Sequence, residues 1–266
     1  MADSITIEDW DLNKAKPYLS KPSVTDNKYR RGVLGCYTGD RKFPGAALIS
    51  SAAALATGVG MVRFLGPKAV QKPLIQYRPA VVLANGPVDA LLIGSGVRTN
   101  ILNKTKLAKL NKFQIPKVLD AGAIYLANSI NSPTVMTPHV GELAKFLGVK
   151  SADVEDNPLH FAQIAAGKTG ATVLLKGNRT VVVNRKRVIQ LPSASTWLAT
   201  AGTGDVLAGI LGALIAINKN QITEENLIEV SATASLLHAI AAKSASPAAI
   251  DIEAMIKEIP AIISKL

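Results

Sequence analysis

Asp89-Ala-Leu-Leu-Ile-Gly-Ser-Gly96 is the stretch that decides the fold. Residues 89–93 are an apolar run of strand length with no polar alternation, the mark of a strand buried on both faces. Gly94-Ser-Gly96 ends it. The form recurs. Lys117-Val-Leu119 runs into Asp120-Ala-Gly122, Pro133-Thr-Val-Met136 into Thr137-Pro-His-Val-Gly-Glu142, and Ala171-Thr-Val-Leu-Leu175 into Lys176-Gly-Asn178. Helical stretches separate these runs, so the arrangement is βαβ and the sheet mostly parallel. Parallel sheets bind ligands at the carboxyl ends of their strands, which is where the polar and glycine clusters fall.

Outward from this centre, Gly32–Tyr37 reads as the first buried strand and Thr38–Lys42 as a polar turn. A helix over Pro44–Thr57 follows, with Pro44 in its first turn. Gly58-Val-Gly60 stops that helix, and Met61–Leu65 is a second strand. Thr180–Val183 and Arg187–Gln190, joined by Asn184-Arg-Lys186, predict a β-hairpin added antiparallel near one sheet edge. Trp197–Ile217, Glu224–Ser246 and Asp251–Lys265 are expected to be helical. Residues 1–29 mix acidic and basic side chains around Pro17 and Pro22, an amino-terminal arm with one short helix near Thr6–Leu19. With no internal repeat or linker, one domain over residues 1–266 is expected.

Hydrophobic residues make up 48% and aromatics 5%, so small aliphatic side chains do most of the packing. That suits close helix–sheet contact better than a β-sandwich. The formal net charge is +11, from 30 Lys plus Arg against 19 Asp plus Glu. A basic balance favours any polyanion. The basic residues here are spread out without a nucleic-acid-binding signature, so a phosphate-rich substrate is expected and a nucleic-acid partner is not. Cys36 is the only cysteine, which excludes an internal disulfide and suits a reducing compartment. Met1–Trp10 is acidic and polar, unlike a signal peptide, and the apolar run 206–217 is too short and glycine-rich to span a bilayer. A cytoplasmic protein without a membrane partner is expected.

Chemistry concentrates in Trp197–Ile217, where Gly202-Thr-Gly-Asp205 precedes an unbroken apolar helix. The glycines allow a tight turn and leave backbone N–H groups uncovered. The helix turns its unpaired N–H groups and positive dipole end toward that turn, which suits a phosphate. Asp205 beside it could take a proton from a substrate hydroxyl. The same residues are equally consistent with Thr203 simply capping a buried helix. Lys176-Gly-Asn-Arg-Thr180 places a cation where a strand emerges, for a phosphate or merely for solvent. Asp120 could bind a metal, orient a polar group or cap the next helix. Glu142 suits a helix start capped by Thr137, whereas His139 has the setting of a site residue. His160 and His238 lie in helical stretches and read as packing or surface residues. There is no G-x-x-x-x-G-K-[ST] loop, no G-x-S-x-G elbow and no Cys–His metal spacing.

Four pieces, taken in order, resemble the ADP/ATP-dependent NAD(P)H-hydrate dehydratase branch of the ribokinase-like superfamily. They are Pro-Gly-Ala-Ala (44–47), Leu-Asp-Ala-Gly-Ala (119–123), Thr-Pro-His-Val-Gly-Glu (137–142) with Lys-Gly-Asn-Arg-Thr (176–180), and Gly-Thr-Gly-Asp-Val-Leu-Ala-Gly (202–209). His139 separates this branch from related vitamin kinases, which typically carry Thr-Pro-Asn there. The resemblance implies an α/β, ribokinase-like three-layer fold: a mostly parallel central sheet with helices on both faces. It implies ADP-dependent dehydration of (6S)-NAD(P)H-hydrate to NAD(P)H through phosphorylation of the ring hydroxyl.

By the same resemblance Asp205 is the general base, and Gly202, Thr203 and Gly204 hold the transferred phosphoryl group. Lys176, Gly177, Asn178, Arg179 and Thr180 line the adenine nucleotide with Gly204. Ala46, Gly96, His139 and Asp205 contact the hydrated dinucleotide. Mg²⁺ is the expected phosphate counter-charge, with Glu142 as a ligand, and ADP or ATP the phosphoryl donor. A homo-oligomer, tetramer or dimer, is expected. A carboxylate at a helix amino terminus should stay ionised. Three positions depart from the pattern: Ala201 replaces a glycine before Gly202, Gly94-Ser-Gly-Val lacks the usual Gly-Pro-Gly-Leu-Gly, and Tyr29-Arg-Arg-Gly32 replaces a His-Lys-Gly entry. The alternatives are a vitamin-precursor kinase of the same superfamily and a nucleotide-binding sensor without turnover.

Overall fold

The computed structural model describes residues 6–19, 21–246 and 248–265. Chain order runs β1 (Ile7–Asp9), α1 (Leu12–Ala15), β2 (Val33–Tyr37), α2 (Pro44–Ala56), β3 (Met61–Phe64), α3 (Lys68–Tyr77), β4 (Ala90–Ile93) and α4 (Ile101–Asn111). Then come β5 (Lys117–Leu119), β6 (Thr134–Met136), α5 (Val140–Leu147), α6 (Ser151–Asp156), α7 (Pro158–Thr169), β7 (Thr172–Leu175), β8 (Val181–Val183) and β9 (Val188–Gln190). The chain closes with α8 (Thr203–Ile217), α9 (Leu227–Ala245) and α10 (Ile252–Ser264).

The strands form one nine-stranded sheet in the order β1-β9-β8-β7-β6-β5-β4-β2-β3. β3, β2, β4, β5, β6 and β7 pair in parallel, and the β8–β9 hairpin is antiparallel. Each expected strand is present, because each short apolar run is buried on both sides. Successive side chains of a strand point to opposite faces, and β4 demonstrates it. Ala90 and Leu92 join a core with α2, α8, α9 and α10, while Leu91 and Ile93 join a second core with α4, α5 and α7. Helices therefore cover both faces.

The amino-terminal arm departs from expectation. Residues 7–9 form an edge strand, β1, parallel to β9, and the helical part is short. The arm is fastened to distant elements: the Arg187 guanidinium donates to Glu8 at 2.8 and 2.9 Å and to Glu229 at 2.6 Å. The Trp10 indole N–H donates to the Thr233 hydroxyl at 3.2 Å. None of these partners is near in sequence, so local pattern could not reveal the strand. Met1–Ile5 of the expected arm lie outside the described residues. Among the described residues no helix is long and apolar enough to cross a membrane.

Strand order reverses direction between β2 and β4, where the connections leave toward opposite sides, the position at which such sheets bind ligands. The helix that forms one wall of the site, α8, crosses α2 at very short range. A methyl group at Gly209 would lie 2.3 Å from the Ser50 carbonyl oxygen and 3.0 Å from Ala53 Cβ. Gly→Ala inside a helix ordinarily stabilises by about 1 kcal/mol. Here the clash reverses the sign. Gly209→Ala is expected to lower stability by about 1–3 kcal/mol through overpacking, read as a fall in the thermal midpoint.

Candidate active site

Strand ends and one helix start converge on Asp120. Its carboxylate, buried just past β5, accepts from the Ser95 hydroxyl after β4 at 2.8 Å and from the Thr137 hydroxyl after β6 at 2.8 Å. It also accepts from Lys176 Nζ after β7 at 3.0 Å. Of the roles open to it in sequence, Asp120 orients a polar group; its side chain caps no helix. Lys176 is also 3.7 Å from Glu142 Oε2. Burial works against the ammonium, but Asp120, Glu142 and Asp205 outweigh it and raise its pKa, so Lys176 is charged.

Lys176 faces the start of α8: a methyl group at Gly204 would lie 3.6 Å from Nζ. The helix begins at Thr203, with Gly202 in the left-handed region (φ 97°) as its cap residue, and Trp197–Gly202 lie outside it. The Thr203 N–H is taken by the Thr200 carbonyl at 3.3 Å, and its hydroxyl lies 2.8 Å from both the Leu198 and the Thr200 carbonyls. Among the described residues, the N–H groups of Gly202, Gly204 and Asp205 have no protein partner. Of the three residues expected to hold a phosphoryl group, Thr203 has its N–H already engaged. Thr203 locks the turn, and its neighbours offer the free donors.

Asp205 also departs from expectation. Burial foremost, then the Asp120 charge, raises its pKa to about 7 against the pull of Lys176. Desolvation outweighs the favourable helix terminus.

His139, not Thr137, is the cap residue of α5. The Glu142 carboxylate accepts from the His139 backbone N–H at 2.9 Å, and the Gly141 N–H donates to His139 Nδ1 at 3.1 Å. The His139 ring stays 60% exposed at the mouth of the site. Glu142 presents a hard carboxylate oxygen 3.7 Å from Lys176 Nζ, while the Asp120 carboxylate is taken by Ser95, Thr137 and Lys176. Mg²⁺ is commonly held by one or two carboxylates together with substrate phosphates, so the donor set fits it. Among the described residues no three His, Cys, Asp or Glu side chains make a metal cage, so phosphates would complete the shell.

A cavity of about 990 Å³ adjoins this centre. Its wall includes the polar His139, Lys176, Asn178 and Thr180, the glycines Gly177 and Gly204, and the apolar side chains of Leu191, Leu198, Leu207 and Ile240. The wall carries no carboxylate. The Arg179 side chain is exposed and is not part of the wall. His238 is part of it, although the sequence places it among packing or surface residues; His160, by contrast, is exposed on α7.

At Gly202 the α8 turn packs on α2. A methyl group at Gly202 would meet Ile49 of α2 at 3.1 Å. Ala46 and Gly96 come together, since a methyl group at Gly96 (φ 64°) would lie 2.4 Å from Ala46 Cβ. Asp40 pins both loops. It accepts from the Lys42 N–H at 2.7 Å and from Arg98 Nε at 2.6 Å. Burial opposes its charge, but these bonds hold its carboxyl below the usual range.

Comparison with known proteins agrees with this geometry. A family model described as NAD(P)H-hydrate dehydratase matches residues 34–261. The chain belongs to that family. It is 37% identical over 208 residues to a bifunctional NAD(P)H-hydrate repair enzyme, Nnr, of Mycobacterium tuberculosis, covering 73% of this chain and 43% of that protein. The Escherichia coli Nnr is 32% identical over 224 residues, covering 79% of this chain and 43% of the relative. The chain thus spans less than half the length of these curated relatives. Among solved structures, a ribokinase-like superfamily protein of Enterococcus faecalis superposes with TM-score 0.86 at 22% identity, over 97% of this chain and 96% of that one. The Bacillus subtilis ADP/ATP-dependent NAD(P)H-hydrate dehydratase, co-crystallised with ATP and Mg²⁺, superposes with TM-score 0.85 at 22% identity over 99% of each chain. These likenesses establish the ribokinase-like fold of this dehydratase-family chain.

A reaction that uses Asp205 as its base should slow roughly tenfold per pH unit below about pH 7, since the carboxylic acid cannot accept a proton. Asp120→Asn removes the neighbouring negative charge and should shift that acidic limb to lower pH. A pH–rate profile of both proteins checks the direction.

Proposed function

We propose that this chain carries out the ADP-dependent dehydration of (6S)-NAD(P)H-hydrate, returning NADH or NADPH with release of AMP and phosphate. The observation that carries this reading is the meeting of Asp205, the Lys176 ammonium and the free N–H groups of Gly204 and Asp205 at the start of α8. Phosphoryl transfer asks a protein for positioning and charge stabilisation rather than covalent chemistry, and this arrangement supplies both. Family membership points to the substrate.

The apolar side chains of the cavity take the adenine, with Asn178 and Thr180, and Lys176 and the α8 turn take the terminal phosphate. The hydrated dinucleotide lies against Ala46 and Gly96, with His139 meeting it from the cavity wall. Asp205 removes the proton of the ring hydroxyl as its oxygen bonds to the terminal phosphorus and the bond from that phosphorus to the AMP oxygen breaks. The phosphate then leaves the ring carbon with the bonding electron pair. Loss of a proton from the adjacent carbon restores the ring double bond. A pKa near 7 suits this base, since at neutral pH it is ionised in part and still basic enough to accept.

When bound, Mg²⁺ would neutralise charge on the nucleotide phosphates, with Glu142 as its protein ligand. ADP in preference to ATP, a homo-oligomer (tetramer or dimer), a cytoplasmic location and a single domain over residues 1–266 belong to the same proposal, on the strength of the resemblance.

One assay tests the reading: hydrated NADH with ADP or ATP, followed by recovery of NADH absorbance and by free phosphate. NADH and phosphate should appear in equal amounts, and Asp205→Asn should lower the rate by about 10²–10⁴-fold. A stable phosphorylated product without NADH would identify a small-molecule kinase instead. Nucleotide binding without any turnover would identify a sensor.

A further inference from the structure

The phosphate-holding turn has glycine on both sides of Thr203. Gly202 sits in the left-handed region, Gly204 is the second residue of α8, and the Val206 N–H bonds back to the Gly202 carbonyl at 3.1 Å, so α8 secures one side of the turn. The other side is fastened from outside α8. The Thr203 N–H and hydroxyl bond only within the preceding loop, to the carbonyls of Thr200 and Leu198. That loop is itself part of the cavity wall. The side-chain tether from a second helix is His238 on α9, whose Nε2 lies 2.9 Å from the Thr203 carbonyl oxygen. Among the described residues it is the one side-chain hydrogen bond that reaches residues 202–205 from another helix or strand.

A carbonyl oxygen only accepts, so His238 Nε2 carries the hydrogen and the tautomer is set. Burial foremost, together with Lys176, pushes the His238 pKa down to about 4 against the Thr203 bond, so the ring is neutral at neutral pH. A neutral donor can hold the Thr203 carbonyl without drawing the phosphate away from Lys176. His238 is buried at 7% exposure in the long helix α9, whose residues Ser235 and Ala239 line the same cavity. The turn is thereby referenced to the core.

We propose that His238 is a positioning residue for phosphoryl transfer: by holding the Thr203 carbonyl from α9, it keeps the Gly204 and Asp205 N–H groups aimed at the terminal phosphate of the nucleotide. This rests on the reading that the turn holds that phosphate. A histidine that only fills space would have no preference between nucleotides that do and do not reach the turn.

Calorimetry with ADP and with AMP, in Mg²⁺, separates the two roles without requiring turnover. In His238→Phe the ADP affinity should fall about 10- to 100-fold, part of the loss known for removing a preorganised donor, with AMP affinity within about twofold of the wild type. Where hydrated NADH is turned over, kcat should fall similarly and KM for the dinucleotide should hold. His238→Gln extends an amide N–H about as far as Nε2 and should recover most of the difference. If the Phe variant does not fold, His238→Asn, which is polar but too short to reach Thr203, makes the same comparison. Equal weakening of ADP and AMP, an unchanged ADP-to-AMP ratio, or no recovery in the Gln variant would each overturn the proposal. A chain that binds ADP over AMP yet repairs no dinucleotide would overturn the activity reading while still giving a result for His238.

Discussion

The contact between the Lys176 ammonium and the Asp120 carboxylate is the constraint on which this site depends. A buried charge is tolerated only when paired and hydrogen-bonded, and each partner supplies the other's requirement. Asp120 receives the hydroxyls of Ser95 and Thr137 as well as Lys176, so loops after four neighbouring strands meet at one carboxylate. Asp205 feels the same pair, raised by one partner and lowered by the other. Burial raises the pKa of the candidate base foremost, and the charges that organise the strand ends then adjust it.

Placing Asp205 near that pair is a matter of steric economy. With few aromatic side chains, the protein packs α8 on α2 through glycine and alanine, close enough that Gly209 lies against the Ser50 carbonyl. Close approach sets the first turn of α8 against Ile49 of α2 at Gly202 and against Lys176 at Gly204. The turn borders a carboxylate-free cavity through Thr203 and Gly204 and packs through Gly202 on α2, which carries Ala46 against Gly96. Phosphoryl transfer between two bound molecules needs the reacting atoms brought together and water kept from the phosphate.

The hydrogen bonds of Thr203 show how a flexible turn is made into a fixed one. Glycine lets donors face a phosphate, and the same freedom would scatter them. Every polar group of Thr203 is engaged, leaving the neighbouring N–H groups as the available donors. A resemblance names the glycines, the threonine and the aspartate of this turn. It does not show that the threonine N–H is engaged while those of its neighbours are free.

Residues 89–96 and their counterparts were enough, by themselves, to determine a parallel α/β sheet with its site at the strand ends. Short apolar runs without alternation report burial on both faces, and glycine and proline act on the backbone next to them; both signals are local. The turn at 202–205, the hairpin at 180–190 and the family were legible for the same reason. Tertiary structure alone decided that residues 7–9 pair with β9, that Asp120 holds a lysine, that Asp205 titrates near neutrality, and that His238 reaches Thr203. A carboxylate's pKa depends on how much water and which charges surround it, and here those neighbours come from strands 85 and 29 residues upstream, at positions 120 and 176 against 205. Long-range contacts of that kind leave no period or spacing in the chain, so only the folded arrangement could assign them.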